Sequence, residues 1–290
     1  MMKVRIALMF FVIPALSVII GSDRADAFQA EVIPENIYQG DAFIIKISGA
    51  EDPETPVALM DGKQFVFSKC GEDCLIAIGA IDLGTKPGRK KIKIATGKKE
   101  QDLSLVVKRA KFPSISLTLP EAKVSPGAVD MKRIQKENQR LKELWDKETQ
   151  RMWEGDFIRP VKNEISTVFG TKRIFNKKRT SIHRGMDFRA KEGEEVRATN
   201  KGKAVLAEEL FFGGNTVILD HGQGIYTVYM HLSAFNIQNG DIISKGGVIG
   251  LAGSTGRATG PHLHFGVKVS GLNTNPVSLF DLKLLSVDLK

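Results

Sequence analysis

The sequence predicts a mainly β protein with an N-terminal immunoglobulin-like β-sandwich, a connecting helix and a C-terminal β-rich domain. Three observations predict it. Short runs of alternating apolar and polar residues recur in both halves of the chain, one stretch with helical period separates them, and all five histidines lie in the C-terminal half. With 290 residues, 42% hydrophobic and 26% charged, the chain has material for two ordinary domains, which excludes a disordered tail.

Residues 1–27 open with Lys3 and Arg5, continue as an apolar run from Ile6 to Ile20, and end with Ala25 and Ala27 around Asp26. This is the layout of a secretory signal cleaved after Ala27. The apolar run is shorter than the roughly 20 residues a spanning helix needs, so no stable membrane insertion is expected after cleavage. The expected location is outside the cytoplasm, in the periplasm or cell envelope. No cysteine lies near the cleavage point to carry a lipid; the only two, Cys70 and Cys74 in KCGEDCL, are expected to form a small disulfide in an oxidising space, contributing about 2 kcal/mol. The formal charge of +9 becomes +8 once the three basic and two acidic residues of the signal are removed. Such a balance favours anionic surfaces such as cell-wall polymer or lipid headgroups. Nucleic acid is not expected, because the basic residues are scattered and the chain leaves the cytoplasm.

Residues 28–111 carry AFIIKIS, KQFVFS, CLIAIGA, KKIKIAT and DLSLVVK between turn residues, the pattern of a β-sandwich. This part has no histidine, and its expected role is spacing, docking or inhibition. Residues 112–156 are expected to hold a linker and a helix. FPSISLTLPEAKVSPGA, with three prolines, reads as extended linker. DMKRIQKENQRLKELWDKETQRMW reads as a helix with Met131, Ile134, Leu141, Trp145 and Met152 along one stripe, interrupted by Asn138 and Glu148. Packing on a neighbouring domain or a coiled-coil dimer would both use that stripe. Residues 157–290 return to alternating strands rich in glycine, among them GKAVLAEE, NTVILDHG, IYTVYMHL and LHFGVKV.

Two histidine motifs carry the chemistry. In GPHLHFGV, residues 260–267, strand alternation sends Leu263, Phe265 and Val267 to one face and His262 and His264 to the other. Two imidazoles on one face invite a metal, a proton relay, or both, since buried imidazole without a partner is costly. In HRGMDF, His183 and Asp187 are four apart, a spacing that shares a face in helix and strand alike; the alternation of Met186 and Phe188 suggests strand. Imidazole and carboxylate are ordinary zinc ligands, and with His264 as a third they would leave one tetrahedral position open. A surface histidine paired with an aspartate gives the same letters. A third histidine segment, YMHL at residues 229–232, accompanies them.

The stretch ISTVFGTKRIFN…SIHRGMDFRAKEGEEVRAT…GNTVILDHGQGIYTVYMHLS…GDIISKGGVIGLAGSTGRATGPHLHFGV resembles the LytM/lysostaphin-type family of zinc metallopeptidases, which cut peptide bonds in bacterial peptidoglycan. The resemblance runs from Ile165 to about Leu279 and leaves residues 28–155 uncovered. It implies that His183, Asp187 and His264 hold Zn2+, that His231 and His262 are catalytic, and that the substrate is the peptidoglycan peptide cross-link. The sequence departs from the family at Ala190, Lys191, Glu192 and Gly193, in place of an alanine-proline-glycine turn, and at HFGV, where many members show an acidic residue; neither touches a ligand position. His221 is expected to have a structural role. Tyr229, on the expected strand face of His231, would bond a bound peptide or serve as a buried structural tyrosine. The glycines of GLAGSTGRATG suit tight turns at a cleft wall, and no lysine-serine/threonine follows to make a phosphate loop. The alternative to a hydrolase is a catalytically silent cell-wall binding or hydrolase-activator protein of the same fold.

Overall fold

The structure, a computed structural model, describes residues 28–49, 56–97 and 99–284. The expected signal segment lies outside the described residues. Among the described residues no helix is long and apolar enough to cross a membrane.

The N-terminal strands form two sheets. One runs Gln29–Ile33, Ala42–Ser48, Cys74–Ala80, Ser68–Lys69; the other runs Asn36–Tyr38, Lys99–Lys108, Gly88–Thr96, Val57–Met60, Lys63–Phe65. Alternation in AFIIKIS divides that strand between two cores. Phe43, Ile45 and Ile47 join Ile92, Ile94 and Leu105 in a core within the N-terminal half. Ala42 and Ile44, with Ile76, Ile78 and Ala80 of the adjacent strand, join Trp153, Phe188, Phe265 and Leu279 in a core shared with the C-terminal half. Polar bonds lock the seam. The Asn275 amide N–H donates to Gly40 O at 2.7 Å, the Asn275 Nδ2 to Asp41 Oδ1 at 2.8 Å, and the Ala42 N–H to Ser278 Oγ at 2.8 Å. The expected disulfide between Cys70 and Cys74 is formed.

The segment expected to be linker is extended, but not free. Ser114–Leu117 pairs in parallel with Lys172–Phe175, which pairs antiparallel with Arg179–Ile182. The helix runs Ala128–Trp145, shorter than the helical period suggests. Beyond Trp145 the backbone finds partners in the C-terminal half: the Tyr226 hydroxyl donates to Lys147 O, the Gln223 N–H to Thr149 O, and the Met152 N–H to His221 O, each at 2.8 Å. Those bonds compete with continued helix, and Met152 falls outside the stripe. Within it, Ile134 is buried, and Leu141, Leu144 and Trp145 pack on Leu206, Leu210 and Tyr226.

The C-terminal half is built on a ten-stranded sheet whose main path runs Ile165–Thr167, Met186–Arg189, His262–Val269, Ile225–Phe235, Gly214–Gly222, Gly202–Leu210, Ile242–Ile243. Its antiparallel register sets Asp187 opposite His264, and His264 opposite Met230. Leu263, Phe265 and Val267 are buried, as alternation requires, and His262 and His264 point to the other face.

His221 is fully buried at the end of Gly214–Gly222. Its Nδ1 meets Lys201 O at 2.8 Å and its Nε2 meets the Thr227 hydroxyl at 2.7 Å; that hydroxyl lies 3.0 Å from the Tyr229 hydroxyl, which accepts from the Thr199 N–H at 3.0 Å. Both residues are therefore structural, Tyr229 as the buried alternative. Burial pushes the His221 pKa down to about 4 from 6.5. The unfolded chain takes up this proton first as pH falls, so the stability contributed by neutral His221 is complete above pH 6.5 and is lost toward pH 4. A shift of that size amounts to as much as about 3 kcal/mol. His221→Gln is expected to destabilise the chain at pH 7 by about 1–3 kcal/mol through its lost bonds. It should also flatten the acid side of the stability profile relative to wild type; urea titrations of both proteins from pH 7 to pH 4 measure this, and parallel profiles would refute it.

Candidate metal centre

Three side chains converge where Met186–Arg189 and His262–Val269 pair. His183 Nε2 lies 3.0 Å from Asp187 Oδ1, His264 Nδ1 lies 2.9 Å from the same oxygen, and the two imidazole nitrogens are 2.9 Å apart. Asp187 and His264 come from neighbouring strands. His183, expected on a strand with Asp187, instead sits in the connection between Arg179–Ile182 and Met186–Arg189. Gly185 in that connection permits the approach: a Cβ there would stand 2.8 Å from His264 Nε2 and 2.4 Å from Phe265 O.

Protonation follows from the partners. His183 Nδ1 is 3.1 Å from Val168 O, an acceptor only, so Nδ1 carries the proton and Nε2 presents a lone pair inward. Burial pushes the His183 pKa down to about 4 against the pull of Asp187, which keeps the ring neutral near pH 7. Burial would raise the Asp187 pKa, but its hydrogen bond with His264 and the paired Arg173 guanidinium hold it well below the usual carboxylate range. A lone pair and an ionised carboxylate therefore face each other at hydrogen-bond distance. That arrangement calls for a cation between them. One carboxylate and two imidazoles are a donor set for zinc, and three protein ligands leave a fourth position for water or substrate. His183, Asp187 and His264 fit a zinc ion on this donor set.

Arg173 supports it from the groove wall. Its guanidinium pairs with Asp187 Oδ2, leaving Oδ1 to the imidazoles. Sequence reasoning passed over this residue, although alternation in KRIF put an arginine on the face of buried Phe175, a signal that it has a buried partner.

His231 and His262 stand beside the triad. Their ring centroids are 4.8 Å apart, and the His231 ring is 6.1 Å from that of His264. His262 Nε2 lies 4.0 Å from Asp187 Oδ1. His231 Nδ1 meets Thr255 O and His262 Nδ1 meets Gly260 O, both at 2.8 Å, so in each neutral ring Nε2 is the free nitrogen. Burial pushes the His231 pKa down to about 3. The strand does not alternate simply here. The pairing shifts register between Asn215 and Val217, and His231 has φ +65°, a β-bulge that separates its direction from that of Tyr229.

The centre lies at the floor of a groove with two hollows. One, of about 230 Å3, is lined by His183, His231, His264, Arg173 and Arg257 and by Ile134, Asn138 and Leu141 of the helix. The other, of about 220 Å3, is lined by Asp187, His262, Arg173 and Arg257 and by Ile115, Leu117 and Leu119. Asn138, which breaks the apolar stripe, and Glu137, whose carboxylate accepts from the Phe211 N–H, are the polar helix residues in this hollow.

Residues 181–276 match the profile described as Peptidase family M23. The DD-carboxypeptidase/endopeptidase Mpg of Neisseria meningitidis serogroup B is 40% identical over 120 residues, covering 41% of this chain and 27% of that protein. The peptidoglycan DD-endopeptidase ShyA of Vibrio cholerae is 38% identical over 112 residues, covering 38% and 26%. The chain thus spans about a quarter of the length of these curated relatives. A solved structure described as a putative peptidase M23 from Pseudomonas aeruginosa is 27% identical with a TM-score of 0.64, covering 84% of this chain and 94% of that one.

Arg173→Met should weaken zinc binding about 10–100-fold, because an outer partner of a ligating carboxylate is removed. His264→Ala should abolish stoichiometric zinc, whereas His262→Ala should retain it. Competition titration with a zinc chelator distinguishes these outcomes, and wild-type affinity in the Arg173 variant would remove it from the site.

Proposed function

We propose, from the membership of residues 181–276 in peptidase family M23, that the chain is an exported zinc-dependent endopeptidase that hydrolyses the peptide cross-links of peptidoglycan. The observation that carries this reading is the mutual 2.9–3.0 Å approach of His183 Nε2, Asp187 Oδ1 and His264 Nδ1 at the floor of an open groove. The printed activities of Mpg and ShyA support the choice of substrate. The binding or activator alternative would be expected to show a damaged donor set, and all five site residues are present.

His183, Asp187 and His264 would hold the zinc, which when bound supplies Lewis-acid polarisation of the scissile carbonyl and an activated water. His231 and His262 would handle protons and steady the developing oxyanion. Their Nδ1 atoms are occupied by Thr255 O and Gly260 O, so Nε2 is the atom that accepts a proton from water or returns it to the leaving amine. The low pKa of His231 suits a residue that is neutral at the start of the cycle. The two-sheet N-terminal unit is read as an immunoglobulin-like sandwich of residues 28–111, with residues 112–156 as connection and 157–290 as the peptidase domain. Residues 1–27 would direct export to the periplasm or cell envelope.

Purified chain lacking residues 1–27 should bind about one zinc per molecule and shorten cross-linked muropeptides from purified peptidoglycan. His264→Ala should release no fragments. His231→Ala should retain zinc while losing about 10²–10⁴-fold in rate. Mass spectra of released fragments together with metal analysis check all three, and equal digestion by wild type and His264→Ala would remove the metal centre from the mechanism.

A further inference from the structure

Arg257 is the groove residue with the least explained charge. Its backbone N–H is anchored to Phe212 O at 2.9 Å, and its guanidinium carbon lies 4.2 Å from the Phe212 ring centroid and 4.9 Å from that of Phe175. Stacking on two rings holds the guanidinium plane and leaves its N–H edge available. Among the described residues no carboxylate pairs with it, and the charges it feels are those of Arg173 and Arg179. The acids at hand are committed elsewhere: Asp187 to Arg173 and the two imidazoles, and Glu137, which shares the helix-side hollow, to Arg133 and the Phe211 N–H. A largely desolvated guanidinium with cationic neighbours and no counter-ion is a standing site for an anion. Arg257 also borders both hollows that meet at His183, Asp187 and His264.

We propose that Arg257 is a specificity-determining residue that binds a free carboxylate of the substrate beside the scissile bond. The inference rests on the hydrolase reading and sharpens its substrate class. In a cross-link whose scissile nitrogen belongs to a diamino dicarboxylic acid, the carbon bearing that nitrogen also bears a carboxylate, the anion nearest the bond; a lysine side-chain amine has none there. A planar guanidinium fork matches such a group through two parallel hydrogen bonds. A bridge made of glycines offers no such group, and the site discriminates against it by leaving Arg257 uncompensated.

The test uses the full chain loaded with zinc and two amine-side tripeptide fragments, which differ only in that carboxylate, free in one and amidated in the other. Neither contains the bond to be cut, so calorimetry reads binding alone. Wild type should prefer the free acid at least about tenfold, the range of a charge-assisted hydrogen bond. Arg257→Gln should lose that preference and keep its affinity for the amide within about twofold; Arg257→Lys should keep part of it. Equal wild-type affinity for the two fragments overturns the proposal, as does an equal loss for both in Arg257→Gln. Should Arg257→Gln fail to fold, the wild-type comparison and Arg257→Lys decide. Cross-linked substrates in the same two forms separate the two readings. Equal cleavage of both leaves the hydrolase standing and removes Arg257 from specificity, whereas selective binding of the free acid without cleavage of either form keeps Arg257 and refutes the hydrolase.

Discussion

Asp187 has both carboxylate oxygens committed, Oδ2 to Arg173 and Oδ1 to the inward nitrogens of His183 and His264. A carboxylate so far removed from water stays ionised only because the Arg173 guanidinium and the His264 hydrogen bond outweigh the penalty of burial. The rest of the centre follows from that requirement. The strand pair sets Asp187 opposite His264, the glycine at 185 lets the connection close over the imidazole, and the Val168 carbonyl turns the remaining lone pair of His183 toward the same point. Zinc affinity and folding are coupled here, since a site whose donors come from separate strands exists only when the sheet is formed.

Most of the centre was legible because its chemistry is written in short motifs. HxH in a strand obliges both imidazoles to share a face, and the structure keeps that face. HxxxD indicated the pairing of His183 with Asp187, but strand alternation extended it too far, because His183 belongs to a connection and its direction is set by a backbone carbonyl. Tyr229 and His231 show the limit more clearly. Two residues apart, they would point alike in a regular strand; the bulge at His231 sends one into a buried hydroxyl network and the other toward the metal ligands. No local letter pattern announces that bulge, since its cause is the register of the neighbouring strand.

The fold was legible at the level of alternation and opaque at the level of partners. Both halves are β-rich, the helix lies between them, and the cysteines pair. The helix ends early because Lys147, Thr149 and Met152 find partners on two strands and the turn between them far along the chain, contacts that outweigh a favourable helical period. Ser114–Leu117 looked like spacer for the same reason: its partner, Lys172–Phe175, lies more than fifty residues on, and together they build the wall from which Arg173 reaches Asp187. The segment between the two halves thus forms both sides of the groove, with apolar residues of 115–119 on one flank and the helix on the other.

The strand AFIIKIS faces two interiors at once. A polypeptide stapled through a shared layer loses its modularity: severing it upstream of the groove would strip a hydrophobic floor from beneath Phe188 and Phe265, the residues that interleave with the ligands Asp187 and His264. Swapping the front half for another two-sheet unit therefore demands matching apolar teeth at Ala42, Ile44, Ile76, Ile78 and Ala80, and a chimera joined only by a flexible tether would bring its metal centre along on an unsupported sheet.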